Sequence, residues 1–177
     1  CHWSGERPPL WGLPTSVMHE ALRALPSLSF QQAATVTLHM TTLAGGNALS
    51  TFRAQQLQPA LEAIHPRISG IAARFVHLVA TDAAPTPPEL ERLAALLTYG
   101  DPYAGPGDGT VLIVTPRLGT LSPWASKATD IARNCGLAIR RVERTTEYRI
   151  SLKAGLLGKA PELTAEQLGQ LAALLHD

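Results

Sequence analysis

Several groups of side chains in this sequence have the types and spacings that chemistry requires, and each is a possible site. The run TPRLGTLSPWASKATDIARNCGL, Thr115 to Leu137, joins the end of an apolar stretch to a turn at Gly119 and then to a helix start beside Lys127. Free backbone N–H groups and the helix dipole favour negative charge at such a place. The phosphate-cradle pattern G-x-x-x-x-G-K-[ST] is nevertheless absent: only Gly119 is present, and Pro123 removes one of the donors a cradle would use. The run therefore reads as a capped helix whose polar side, with Ser122, Ser126, Lys127 and Asp130, faces a partner. Trp124 sits among these polar residues as either a lid on the domain's own core or an anchor in an interface, where Trp is enriched. The same alternative holds for Arg117, just before the turn.

Cys135 invites a nucleophile reading, because glutamine-hydrolysing chemistry uses a thiolate with a histidine base. Its place at the C-terminal end of the helix, where the dipole raises a thiol pKa, and on the apolar stripe predicts a core residue instead. The six histidines, His2, His19, His39, His65, His77 and His176, form no i,i+4 pair and have no cysteine or carboxylate at ligand spacing, so no metal site is expected. Arg140, Arg141, Arg144 and Arg149 are interleaved with Glu143 and Glu147, which points to cross-strand ion pairs on a solvated face. No residue is assigned a catalytic role.

The elements that must position these residues alternate between strand and helix. A strand is expected around Thr35 to Leu43. Ser50 can cap a helix whose stripe is Ala54, Leu57, Leu61 and Ile64, bent at Pro59. Ile68 to Ala80 reads as a strand. Thr86 and Glu89 form a capping box with Pro87 at the first helical position and Leu90, Leu93 and Leu97 as the stripe, ahead of a stop at Gly100. DPYAGPGDG is a loop, and the apolar Val111 to Thr115 reads as a strand buried on both faces or central in its sheet. Ser122 caps the next helix, with Ala125, Ala128, Ile131, Ala132 and Cys135 on one side and Gly136 at its end. In RRVERTTEYRISL, Val142, Tyr148, Ile150 and Leu152 share one face while Arg141, Glu143, Glu147 and Arg149 share the other. Thr164 and Gln167 cap a last helix with Leu168, Leu171, Ala172 and Leu175. This pattern predicts an α+β domain, a sheet with helices packed on one face, over residues 40–177, built from two sets of similar length.

The 177 residues suffice for one domain with a real core. With 15 Lys+Arg against 14 Asp+Glu there is no bulk field for nucleic acid or anionic lipid, and no apolar run reaches the ~18 residues of a membrane span. Two cysteines suit a reducing cytosol, so a cytoplasmic location is expected. Residues 1–39, with four prolines and one helical patch, SVMHEALRAL, read as a poorly ordered leader or divergent extension ahead of Met40. The first residue is Cys and the last lie within an amphipathic pattern, so the chain is expected to be a piece of a longer protein.

VLIVTPRLGTLSPWASKATDIARNCGL, read whole, closely resembles the N-terminal domain of the large, single-chain phosphoribosylformylglycinamidine synthases, the formylglycinamide ribonucleotide amidotransferases of purine biosynthesis. The family run reads much like T-P-R-x-G-T-x-S-P-W-S-S-K-A-T-D-I followed by N-C-G-L; Ala125 stands where Ser is usual. Weaker echoes are ALSTFR at 48–53, FVHL at 75–78, LTYG at 97–100 and ERTTEY at 143–148, so that the similarity spans about Met40 to Asp177. The resemblance implies an enzyme that uses ATP, magnesium and glutamine to convert formylglycinamide ribonucleotide into its amidine. Its N-terminal domain is similar to two tandem copies of the small stand-alone subunit of the multi-subunit form, and is followed by synthase and glutaminase regions that hold the chemistry. For this chain it implies no cofactor of its own, those two regions as partners, and a coupling surface made of Arg117, Ser122, Pro123, Trp124, Ser126, Lys127, Asp130 and Asn134. A phosphate- or nucleotide-contacting module is the alternative.

Overall fold

The computed structural model describes residues 37–117, 119–155, 158 and 160–176, all within one compact unit, Val36–Asp177. The leader expected over residues 1–39, with its helical patch, falls almost wholly outside the described residues. Among the described residues four strands, β1 (His39–Asn47), β2 (Ile68–Thr81), β3 (Thr110–Val114) and β4 (Ile139–Leu152), alternate with four helices, α1 (Thr51–Ile64), α2 (Pro87–Leu97), α3 (Pro123–Asn134) and α4 (Ala165–Leu175). The strands form one antiparallel sheet in the order β1-β2-β4-β3, with the two 14-residue strands inside and the short ones at the edges. The fold is α+β, as expected.

Local chemistry sets the helix ends. Ser50 accepts a hydrogen bond from the Arg53 amide at 3.2 Å, and Ser122 accepts one from Ala125 at 3.0 Å, each satisfying a donor that the first turn leaves free. Glu89 accepts from the Thr86 amide and Gln167 from the Thr164 amide, at 2.8 and 2.9 Å, in the two capping boxes. Pro59 lies within α1 without ending it. At the end of α3, Gly136 takes φ 76°, and the amides of Gly136 and Leu137 donate to the carbonyls of Arg133 and Ala132. That paired closure needs a left-handed residue, which glycine adopts without strain.

All four helices pack on the same face of the sheet, where alternate strand residues point inward in two clusters. Val79, Val142 and Ile139 meet Leu93 and Leu97 of α2 and Ala132 of α3. Ile71 and Ile150 meet Leu61 of α1 and Leu171 and Leu175 of α4. Leu61, Leu93, Leu171 and Ile150 are at most 1% exposed, and each contributes about 2 kcal/mol relative to an exposed position. The opposite face of the sheet carries Arg141, Glu143, Glu147 and Arg149 of β4, as the alternation indicates, in register with Ala80, Leu78, Arg74 and Ala72 of β2.

Three expectations are corrected. β3 is an edge strand rather than a central or doubly buried one, and Val111 and Ile113 are 43% and 62% exposed. An apolar run of this length is the same in sequence whether its alternate residues point into a core or away from one. Cys135 is exposed, not core, because the helix ends at Asn134 and Cys135 is its C-cap, turned out of the helical phase at φ −82°, ψ 10°. Ile131, placed on the same stripe, is 50% exposed, since the buried side of α3 is centred on Ala125, Thr129 and Ala132.

Candidate docking site around Trp124

The two hydrophobic clusters do not meet directly. Between them the covered face carries a polar and aromatic seam, made where the register sets Arg144 beside His77 and Thr146 beside Phe75. Trp124, held at the start of α3 by the Ser122 cap and the adjacent Pro123, lies over this seam. Its ring stacks on His77 with centroids 5.5 Å apart and planes 24° apart, and Tyr99 meets the edge of the same imidazole at 5.5 Å. The Arg144 guanidinium lies between two rings, 4.3 Å from the centroid of Phe75 and 4.6 Å from that of Trp124. A cation over an aromatic face is attracted by the ring quadrupole, and this contact strengthens as water is excluded.

The hydrogen bonds of the seam run in one chain. Arg144 Nη1 donates to the Tyr99 hydroxyl at 3.2 Å, and that hydroxyl lies 2.9 Å from Nε2 of His77. The roles in the second bond follow the tautomer: Nε2 either accepts the phenol proton or donates its own to the phenol oxygen. Nδ1 is buried with no hydrogen-bond partner among the described residues. Burial first, and the charge of Arg144 second, lower the His77 pKa from its ordinary 6.5 to about 4, so the ring stays neutral at pH 7. Gly45 leaves room for it: a Cβ there would come within 2.5 Å of His77 Cε1.

Arg144 therefore departs from the ion-paired cluster expected for the β4 arginines. The uncovered face bears no helix among the described residues but is crossed in part by the loop before β3, with Tyr103 beside Arg74 and the Gly107 carbonyl accepting from Arg149. On it Glu147 accepts from Arg74 at 3.0 Å and from Arg149 at 2.8 Å, Arg141 pairs with Glu143, and Arg140 pairs with Asp82. Arg144 faces the other way and has no carboxylate partner among the described residues. Burial pushes the Glu147 pKa up, but the hydrogen bonds and charges of Arg74 and Arg149 outweigh it and hold the carboxyl below its ordinary value.

The eight residues expected to form a coupling surface divide between two places. Pro123, Lys127, Asp130 and Asn134 recur along the side of α3 opposite the sheet and are all exposed, with Ser126 beside them. Arg117, exposed, and Ser122, half-buried, line a cleft of about 430 Å³ together with Trp124, Arg144 and His176, and Pro123 reaches the same cleft from the start of the helix. Trp124 belongs to both places: it is half-buried and packs on its own domain, which gives the lid reading its geometry. A second, apolar crevice of about 260 Å³ separates α2 from α3 between Leu96 and Ile131. Among the described residues no three histidine, cysteine or acidic side chains gather where a metal could sit, and no helix is long and apolar enough to cross a membrane.

Phe75, His77, Tyr99 and Arg144 were missed as site residues. Each falls in one of the stretches FVHL, LTYG and ERTTEY, whose positions in sequence are far apart and which the sheet gathers beneath Trp124.

Sheet, helical layer and seam together define a two-layer α+β domain with an aromatic–arginine pin under one helix. Residues 74–177 match the family described as formylglycinamide ribonucleotide amidotransferase N-terminal, and the chain belongs to that family. Membership ties it to the amidotransferase of purine biosynthesis, a ligase in its full-length form. The matched span starts at Arg74 inside β2 and includes the whole Trp124 site.

Proposed function

We propose that this domain is a scaffolding and coupling unit of the amidotransferase, performing no bond-making itself. In this reading it holds the synthase and glutaminase regions in register so that ammonia released from glutamine reaches the synthase site. ATP and magnesium would be used in those regions, in the cytoplasm. The leader reading of residues 1–39 and the likeness to two tandem small subunits belong to the same proposal. The element order supports the latter, since β1-α1-β2-α2 and β3-α3-β4-α4 each supply one edge strand, one long inner strand and two helices.

The observation that carries the reading is the pin under α3. Trp124, His77, Tyr99 and Arg144 pack on one another, while Pro123, Lys127, Asp130 and Asn134 stand exposed on a helix thereby fixed in place. A rigid helix presenting a mixed-charge ridge suits specific docking, because its side chains lose little further freedom on binding. In the full-length enzyme, Lys127→Glu combined with Asp130→Lys is expected to lower glutamine-driven synthesis about tenfold while leaving ammonia-driven synthesis within about twofold. Unchanged rates with both nitrogen sources would remove the ridge as a coupling surface. A second reading, contact with a phosphate of substrate or nucleotide, draws support from the two arginines of the cleft, Arg117 and Arg144.

A further inference from the structure

We propose that the free edge of β3 and the groove beside it take up an extended, acidic segment of a protein partner as an added strand. The proposal deepens the docking reading, resting on it for the existence of a partner and not for the place of contact.

Among the described residues β3 is hydrogen-bonded to β4 alone. Its sequence, TVLIV, has no charge and no proline, and two of its aliphatic side chains are exposed. Sheet edges are normally blunted by lysine, proline, bulges or a covering segment, and an edge without them is open to pairing. β1, at the other side of the sheet, is treated differently. Its register shifts between Ala44 and Asn47, and the Asn47 amide donates to the Asp101 carbonyl at 2.7 Å, so a neighbouring segment occupies part of that edge.

A groove of about 670 Å³ runs between the β3 side and α4, walled by Leu112, Val114, Ala172 and Leu175 and reaching Arg117. There it adjoins the cleft in which Arg144 lies beneath Trp124. The groove is thus apolar along its length and cationic at one end. A strand advances about 3.3 Å per residue, so the five residues of β3 offer about 16 Å of pairing edge, and Thr115 to Arg117, where Pro116 has no N–H to donate, carry the groove on to the arginine. An added strand would bond its backbone to the edge, and its alternate side chains would enter the groove.

The charge at the Arg117 end selects the occupant. Of the five strand arginines, Arg74, Arg140, Arg141 and Arg149 each have a carboxylate, whereas Arg144 has none among the described residues, and neither does Arg117. A guanidinium has five N–H donors, and among the described residues that of Arg144 donates one hydrogen bond, to Tyr99. A carboxylate entering from outside would pair with both guanidinium groups in the planar geometry that arginine favours. The segment this describes has aliphatic residues at alternate positions and an aspartate or glutamate at the Arg117 end.

The test titrates the 177-residue chain with an eight-residue peptide that has valine at alternate positions, threonine between them and glutamate at each end of the valine row, with its counterpart bearing lysine at those ends, and with inorganic phosphate, following affinity and amide hydrogen exchange. The glutamate peptide is expected to protect amides of β3, residues 110–114, and to bind at least about tenfold more tightly than the lysine peptide. Arg117→Glu is expected to weaken it about tenfold without moving the thermal midpoint, since Arg117 is exposed. Equal affinities, protection elsewhere, phosphate binding without peptide binding, or self-association through β3 in sedimentation would each overturn the proposal. If neither peptide binds while the α3 ridge variants still uncouple glutamine use, this inference fails and the docking reading stands. If the glutamate peptide binds while the ridge variants are silent, the β3 edge stands as a contact and the ridge does not.

Discussion

The two faces of β4 put the same residue type to opposite uses. On the uncovered face Arg141 and Arg149 lie in a ladder with Glu143 and Glu147, and Arg74 joins from β2, so positive charge is answered within the domain. On the covered face Arg144, in register with His77, is held between aromatic rings and a phenol, and keeps its charge. One residue of offset in a strand decides which. Arginine in a strand thus need not signal a surface salt bridge. Where rings supply the contact, the guanidinium can be fixed in place and still be available to an anion.

Substitutions on each side probe this contrast. The largest effect is expected for Trp124→Ala, which removes the ring that covers His77 and Arg144. It should cost about 3 kcal/mol in denaturant unfolding, at the low end for a large aromatic because Trp124 is only half-buried. A loss below about 0.5 kcal/mol, the range of ordinary surface changes, would mean the pin does not hold α3.

Nearly as large is the pH response of His77. Its folded pKa, about 4, lies below the ordinary 6.5, so between those values the unfolded chain binds a proton that the folded one does not. Stability from this group is complete above about pH 6.5 and declines as pH falls to about 4, by up to about 3 kcal/mol. Thermal melts from pH 7 to pH 5 should show the decline in the natural chain and lose most of it in His77→Phe. Glu147 acts in a lower window: its pKa is depressed, so its contribution fades only as pH drops below the ordinary carboxylate range.

Glu147→Gln should cost about 2 kcal/mol, because Arg74 and Arg149, both largely shielded, lose their shared charge partner. Unfolding at several salt concentrations checks it. An unchanged midpoint would show that the uncovered face does not depend on its ion pairs.

Much of the fold is legible in the sequence because its signals are local. The caps at Ser50, Thr86, Ser122 and Thr164 and the glycine stop at Gly136 each involve residues within a few positions of one another, and each is found where the pattern places it. The alternation in β4 likewise assigns Val142, Tyr148 and Ile150 to one face, and by the same parity it assigns Arg144 there. What the alternation lacks is the partners: Phe75, His77 and Tyr99 lie 45 to 69 positions away in sequence, and only the β2–β4 register and the packing of α3 bring them together. The edge position of β3 is hidden for a related reason, since strand order depends on pairings that its five residues do not encode.

The decisive quantity for the contrast between the faces is the affinity of this chain for the synthase and glutaminase regions proposed as its partners. It should be measured once with Lys127→Glu and Asp130→Lys on α3, and once with Met40→Glu, which lies on the uncovered face in the row of Ala80 and Arg141. Docking through α3 predicts that the first pair weakens association at least about tenfold while Met40→Glu leaves it within about twofold. The reverse ranking would place the partner on the uncovered face and contradict the division of labour drawn between the two sides of β4.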